Sequence, residues 1–155
     1  MPALTSALSL SLVLLSAQAA PLAAGAEASV KNPLLAPWTG PYGGVPPFDA
    51  VKVEHFKPAL EAAMAETLAA ADAIAADPAP AAFDNTLAAL ERGARSLERA
   101  GAVYGVFSST MSTPEFQAVE RKMEPRLAAH ADRITQNAAL FRRIEAVYES
   151  PAKGQ

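Results

Sequence analysis

Residues able to do chemistry are few in this chain. Its two histidines are His55, within Glu54-His55-Phe56-Lys57-Pro58, and His130, flanked by Ala128, Ala129, Ala131 and Asp132. A helical zinc site needs two histidines four residues apart on one face with a glutamate between them, as in H-E-x-x-H, plus a third ligand. The chain has no such pair, so each histidine reads as a surface or helix-end residue and not as a ligand. Cysteine is absent, which excludes a disulfide framework, a thiolate zinc site, an iron-sulfur cluster and a cysteine nucleophile. Ser108-Ser109-Thr110 lacks a G-x-S-x-G context, and there is no G-x-x-x-x-G-K-S/T loop to cradle phosphates. Those hydroxyls are expected at a helix C-terminus, bonded to nearby backbone. Glu61, Glu66, Asp72 and Asp77 decorate the polar face of a helix, need no partner there, and do not form an acid–base pair by spacing. Glu91, Arg92, Arg95, Glu98 and Arg99 form a mixed-charge run. Its Glu91–Arg95 step suits a surface pairing of about 0.2–0.5 kcal/mol, and Glu120, Arg121, Lys122 and Glu124 read the same way. No catalytic, cofactor-binding or metal-ligating position is assigned within the chain.

The elements that carry these residues are helical. Pro58 suits the first position of a helix, after which Leu60, Met64, Leu68, Ala71 and Ile74 or Ala75 recur at three- and four-residue steps. That helix should stop before Pro78. Asp77-Pro78-Ala79-Pro80 is a turn, and Asp84-Asn85-Thr86 offers caps for a second helix whose face is Leu87, Leu90, Ala94, Leu97, Gly101 and Tyr104. Gly93, Gly101 and Gly105 in this helix mark either a close helix–helix approach or tolerated weakness. Ser112-Thr113-Pro114-Glu115 opens a third helix with a hydroxyl cap and a proline just inside. Phe116, Val119, Met123, Leu127 and Ile134 form its apolar face, and Pro125 is expected to kink or divide it near Glu124. A last amphipathic stretch runs from Asn137 through Leu140, Phe141, Ile144, Val147 and Tyr148 to Ser150-Pro151. Nothing reads as a sheet, so the expected fold class is all-α, built of antiparallel helical hairpins.

At 155 residues one domain is the natural expectation. Hydrophobic residues make up 51% but aromatics only 6%, and the alanine that dominates favours helix while giving little core volume. Thirteen basic against 16 acidic residues leave a formal charge of -3, too small and too mixed in sign for a nucleic-acid binder. Residues 1–26 carry no charged side chain, and the run Ala7–Leu15 precedes Ala17-Gln18-Ala19, a small-x-small pattern. This is the signature of a secretory leader cleaved after 19 or, at Ala24-Gly25-Ala26, after 26. The run is too short for a stable membrane anchor, since a span needs about 20 apolar residues. Residues 27–50 form a Pro/Gly-rich extended arm with Pro33, Pro37, Pro41, Pro46 and Pro47 among its glycines. Trp38, Tyr42 and Phe48 in it are expected to lie against a surface; a flexible linker is the alternative. The helical region then occupies residues 51–155.

A resemblance extends this reading. Asn32-Pro33-Leu34-Leu35 with Trp38, then Pro47-Phe48-Asp49-Ala50-Val51-Lys52-Val53-Glu54-His55-Phe56-Lys57-Pro58-Ala59, resembles the N-terminal region of the zinc oligopeptidases of the peptidyl-dipeptidase, oligopeptidase A and thimet oligopeptidase family. Phe83-Asp84-Asn85-Thr86-Leu87 with Ala89-Leu90-Glu91, and Gly105-Val106-Phe107-Ser108-Ser109 before Thr113-Pro114-Glu115, are similar to later helix starts of that family. The likeness runs in order over residues 32–150. The Gly40-Pro41-Tyr42-Gly43-Gly44 arm places it nearest the bacterial peptidyl-dipeptidase branch.

The resemblance implies a larger, two-lobed helical peptidase around a channel that admits short peptides. It also implies a zinc ion held by an H-E-x-x-H helix and a downstream glutamate in the C-terminal half. None of those positions matches a residue of this chain, so catalytic, cofactor-binding and metal residues are all none here. The expected function is the N-terminal segment of an exported, periplasmic bacterial zinc metallopeptidase that hydrolyses short peptides, releasing C-terminal dipeptides. In that reading the chain supplies channel-wall scaffold, is inactive alone, and has the C-terminal catalytic half as its partner. The alternative is a free-standing helical module that binds a peptide or partner without catalysis.

Overall fold

Helical periodicity dominates the computed structural model, which describes residues 32–41 and 44–150. The leader expected over 1–26, the arm residues Tyr42 and Gly43, and Pro151 lie outside the described residues. Among those described, the elements are α1 (Val53–Ala76), α2 (Leu87–Thr110), α3 (Pro114–Thr135) and α4 (Ala138–Tyr148). The fold is all-α, and the one extended pairing among the described residues is an isolated bridge between Thr39 and Val45.

The first helix starts ahead of Pro58, which corrects the sequence expectation. Its first turn closes on the backbone. The Lys52 N–H donates to His55 Nδ1 at 3.0 Å, and the His55 N–H donates to the Lys52 carbonyl at 3.0 Å. Pro58 therefore lies inside the helix. An interior proline costs about 3 kcal/mol. Burial of Phe56, which is 0% exposed, offsets much of that, because enclosing such a side chain is worth about 1.5–3 kcal/mol. At the other end α1 stops at Ala76, one residue before Asp77-Pro78, as expected.

Thr86 does occupy the N-cap of α2, but its side chain accepts no capping bond. Its hydroxyl donates to Asn85 Oδ1 at 3.0 Å. That same oxygen accepts from the Ala82 N–H at 2.8 Å, and Asn85 Nδ2 reaches the Pro80 carbonyl at 3.0 Å. The polar triplet knots the preceding loop instead of capping the helix. Thr113 caps α3 as the sequence indicates, accepting from the Phe116 N–H at 3.2 Å with Pro114 just inside. Pro125 does not divide α3, which continues through it to Thr135. Asn137 caps α4 by accepting from the Ala139 and Leu140 N–H groups at 3.1 and 3.0 Å.

α1 is the central element and packs against each of the other three helices. The main core gathers around the Phe56 ring, whose centroid lies 4.8 Å from Phe107, 5.1 Å from Phe116 and 5.9 Å from Tyr104, each edge-on. Edge-to-face pairs of this kind add about 0.5–1.5 kcal/mol beyond area burial. Leu60, Ala100, Val103 and Met123 join this cluster, as does Leu34 of the arm, while a smaller one joins Ala71 and Ile74 of α1 to Leu140 of α4. On α2 the burial centre thus falls at Ala100, Val103, Tyr104 and Phe107, toward the C-terminal end of the face expected from periodicity.

The arm is docked where it is described. Asn32 Nδ2 donates to the His55 carbonyl at 2.9 Å, and Asn32 Oδ1 accepts from the Leu34 N–H at 3.0 Å. Leu34 is 1% exposed and Trp38 packs on the main core. Phe48 stays 42% exposed, against expectation. Between Trp38 and Phe48 the chain reverses at Gly44, where φ is +102° and a Cβ would meet the Trp38 backbone at 2.6 Å, so only glycine fits.

Candidate functional site

Arg126, His130 and Arg133 follow one another at steps of four and three, which puts them on one face of α3. Opposite them α1 presents Glu61, Met64 and Leu68, and the two helices enclose a groove of about 360 Å³. Glu61 is ion-paired to Lys57 at 3.0 Å and to Arg126 across the groove. His130 is 9% exposed, and its Nε2 is buried without a hydrogen-bond partner. Burial, with a smaller contribution from Arg133, holds this imidazole below the ordinary histidine range, so the ring is neutral near pH 7. The sequence placed His130 on a surface or helix end; its actual position is the wall of this groove. The signal for this in the sequence is the Arg-x-x-x-His-x-x-Arg spacing, which sets the three side chains on one helix face but does not show what packs opposite them.

The remaining candidates are held in structural roles. His55 uses Nδ1 to accept the Lys52 N–H, which makes it a helix-end residue as expected. Ser109 donates to the Gly105 carbonyl at 2.8 Å and Thr110 to the Val106 carbonyl at 2.7 Å, the expected local bonds. Ser108 differs: its hydroxyl meets Glu120 of α3 at 2.5 Å. Beside it Tyr104 donates to Glu124 at 2.7 Å. Burial first, and this carboxylate second, push the Tyr104 phenol far above its ordinary range. Glu115, in the first turn of α3, is held below the usual carboxylate range by its own backbone N–H and by the Thr113 hydroxyl.

Acidic groups expected to need no partner have found them. Besides Glu61, Asp77 accepts from Arg143 Nη2 at 3.2 Å, and Asp72 Oδ1 accepts from Asn137 Nδ2 at 3.4 Å. The Glu91–Arg95 surface pair is not formed among the described residues; Arg92 instead donates to the Asp84 carbonyl at 2.8 Å. No three His, Cys, Asp or Glu side chains converge into a metal-holding group among the described residues. There too, no helix is long and apolar enough to cross a membrane. The polar side chains that line the groove are Glu61, Arg126, His130 and Arg133.

No protein-family model matches the chain. Among curated proteins it is 34% identical over 118 residues to a dipeptidyl carboxypeptidase of Salmonella typhimurium, covering 76% of this chain and 17% of that one. It is 33% identical over 118 residues to the dipeptidyl carboxypeptidase of Escherichia coli, with the same coverage. With oligopeptidase A of Salmonella typhimurium it shares 28% identity over 110 residues, 71% of this chain and 15% of that one. The chain thus spans less than a fifth of the length of the relatives it matches.

Proposed function

The chain is related to the dipeptidyl carboxypeptidase and oligopeptidase A family over most of its own length, and from that premise we propose that it is the N-terminal helical portion of an exported peptidase of this family. In that role α1 to α4 are scaffold, walling the channel through which short peptides reach a catalytic centre carried elsewhere. The observation that carries the reading is the coverage: 76% of this chain aligns with only 17% of a dipeptidyl carboxypeptidase.

Zinc is the metal this reading implies, and the described residues do not fit it. His55 spends Nδ1 on a backbone N–H, and His130 faces guanidinium groups, with no second histidine or thiolate nearby. No step of peptide hydrolysis is therefore assigned to these residues. Export rests on the uncharged 1–26 segment and its small-x-small sites.

The test is direct. The purified 155-residue chain, supplied with zinc and short peptides, is expected to release no dipeptide. Chelator-sensitive dipeptide release by that chain alone would place the chemistry here and overturn the scaffold role. Reading the coding DNA beyond codon 155 for an H-E-x-x-H series gives an independent check. A free-standing binding module is the second reading; the exposure of Phe83 at 63% and Phe141 at 59% supports the first, because rings left open on so short a chain are ones that the rest of a larger protein covers.

A further inference from the structure

We infer that the end of the bundle formed by α4 and the loop 77–86 is an internal joint, an apolar face covered by the part of the peptidase that this chain does not match. The inference rests on the peptidase reading and adds to it which surface meets the remainder. Helix α4 is apolar well beyond the side that faces the core. Of its 11 residues only Arg142, Arg143 and Glu145 are charged, and Arg143 is turned inward onto the Asp77 and Ala79 carbonyls. Leu140 packs on α1 at 2% exposed, whereas Phe141 beside it is 59% exposed and Tyr148, seven residues on, is 67% exposed. A helix that is apolar on more than its core-facing stripe is one that lies between two bodies.

The loop adds a ring to the same end. The Phe83 carbonyl accepts the Ala88 N–H at 3.0 Å, which fixes Phe83 at the entry to α2. Ala89 and Leu90, just beyond it, pack on the Leu140 cluster, as does Ile144 of α4. Phe83 is 63% exposed, so the loop and the helix together turn aromatic surface outward at one end of the bundle. The covering body is the remaining length of the peptidase, since this chain matches 17% of a dipeptidyl carboxypeptidase. An apolar centre edged by Arg142 and Glu145 has the make-up of a packed interface, with a dry core and a polar rim. The wall that meets peptides in the channel then falls to another face of the bundle.

Carbene footprinting read by mass spectrometry compares the 155-residue chain with the longer protein translated from its coding DNA on past codon 155. Phe83 and Phe141 are expected to be labelled in the 155-residue chain and to lose that labelling in the longer protein. Phe83→Gln combined with Phe141→Gln should leave the melting temperature of the 155-residue chain nearly unchanged, because both rings are exposed there, and should lower that of the longer protein. Rings that stay labelled in a longer protein that releases dipeptides would overturn the joint and leave the scaffold role standing, as would a melting temperature there that ignores both substitutions. Protection of the two rings as the 155-residue chain is concentrated would assign the face to a second copy and overturn the joint as well. Coding DNA without an H-E-x-x-H series would fail the peptidase reading itself, and the joint with it.

Discussion

A Cβ placed on Gly93 would lie 2.6 Å from the Ala70 Cβ, and the Thr67 hydroxyl reaches the Gly93 carbonyl at 3.3 Å. Helix α2 lies against α1 at this point because there is no side chain between them. Gly93→Ala should therefore destabilise the protein by about 1–3 kcal/mol, since neither the Ala70 methyl nor the helix backbone yields cheaply. Gly101 and Gly105 have nothing within 4 Å of a built Cβ, so alanine at either should add about 0.5–1 kcal/mol through helix propensity. Urea melts of the three variants check both signs, and a neutral Gly93→Ala would remove the close-approach argument. The sequence offered both readings for all three glycines; only the neighbouring helix decides between them. His130 carries a second residue-scale prediction. Its folded pKa lies below the ordinary 6.5, so below about that pH the unfolded chain binds a proton that the folded chain refuses. Stability must fall as pH drops through this window. Burial is the larger cause of the depression, and Arg133 on α3 adds to it. His130→Gln should flatten the fall in melting temperature between neutral pH and the depressed pKa, and an unchanged slope would show that the ring is not desolvated.

At the scale of elements, what was legible in the sequence is what local chemistry controls. The Thr113-Pro114 and Asn137 starts and the stop before Pro78 follow from caps and prolines acting within a turn. Tertiary packing overrode the local signals elsewhere. Phe56 drew the start of α1 back past Pro58, and Asn85 spent its side chain on the loop. Pro125 is carried through a continuous α3 whose Phe116 and Met123 are both 0% exposed. The groove was illegible for the same reason: Glu61 and Arg126 are far apart in sequence and meet only when α1 and α3 pack. The arm is the element whose docking can be tested most simply, because Trp38 is the single tryptophan. Leu34, 1% exposed, anchors it beside the Asn32–His55 bond. Leu34→Ala should cost about 2–5 kcal/mol if the cavity stays open, and it should shift Trp38 emission to the red as the arm loosens. Unaltered emission alongside a lost melting temperature would mean that the arm stays seated without its leucine.

For the molecule as a whole, stability is unevenly distributed. The aromatic cluster on Phe56 draws on the arm, α1, α2 and α3, whereas α4 contributes only Leu140 as a fully buried side chain. With 11 residues, α4 falls below the length of about 12–15 at which an isolated helix becomes even marginal in water. What holds it is Leu140 against Ala71 and Ile74, together with Arg143. The Arg143 guanidinium donates to the Asp77 carbonyl at 2.6 Å, the Ala79 carbonyl at 2.9 Å and the Asp77 carboxylate at 3.2 Å. These bonds tie α4 to the loop that leaves α1, and at 11% side-chain exposure Arg143 is shielded enough for them to count. Bonds to charged groups contribute about 1.5–3 kcal/mol, so Arg143→Ala should raise exchange of the α4 amides about tenfold or more. Amides around Phe56 and Val103 should change much less, because that cluster does not involve Arg143. Native-state hydrogen exchange reads both regions at once. Equal acceleration in all four helices would show that α4 opens only with the whole molecule, and the two clusters would then be a single cooperative unit.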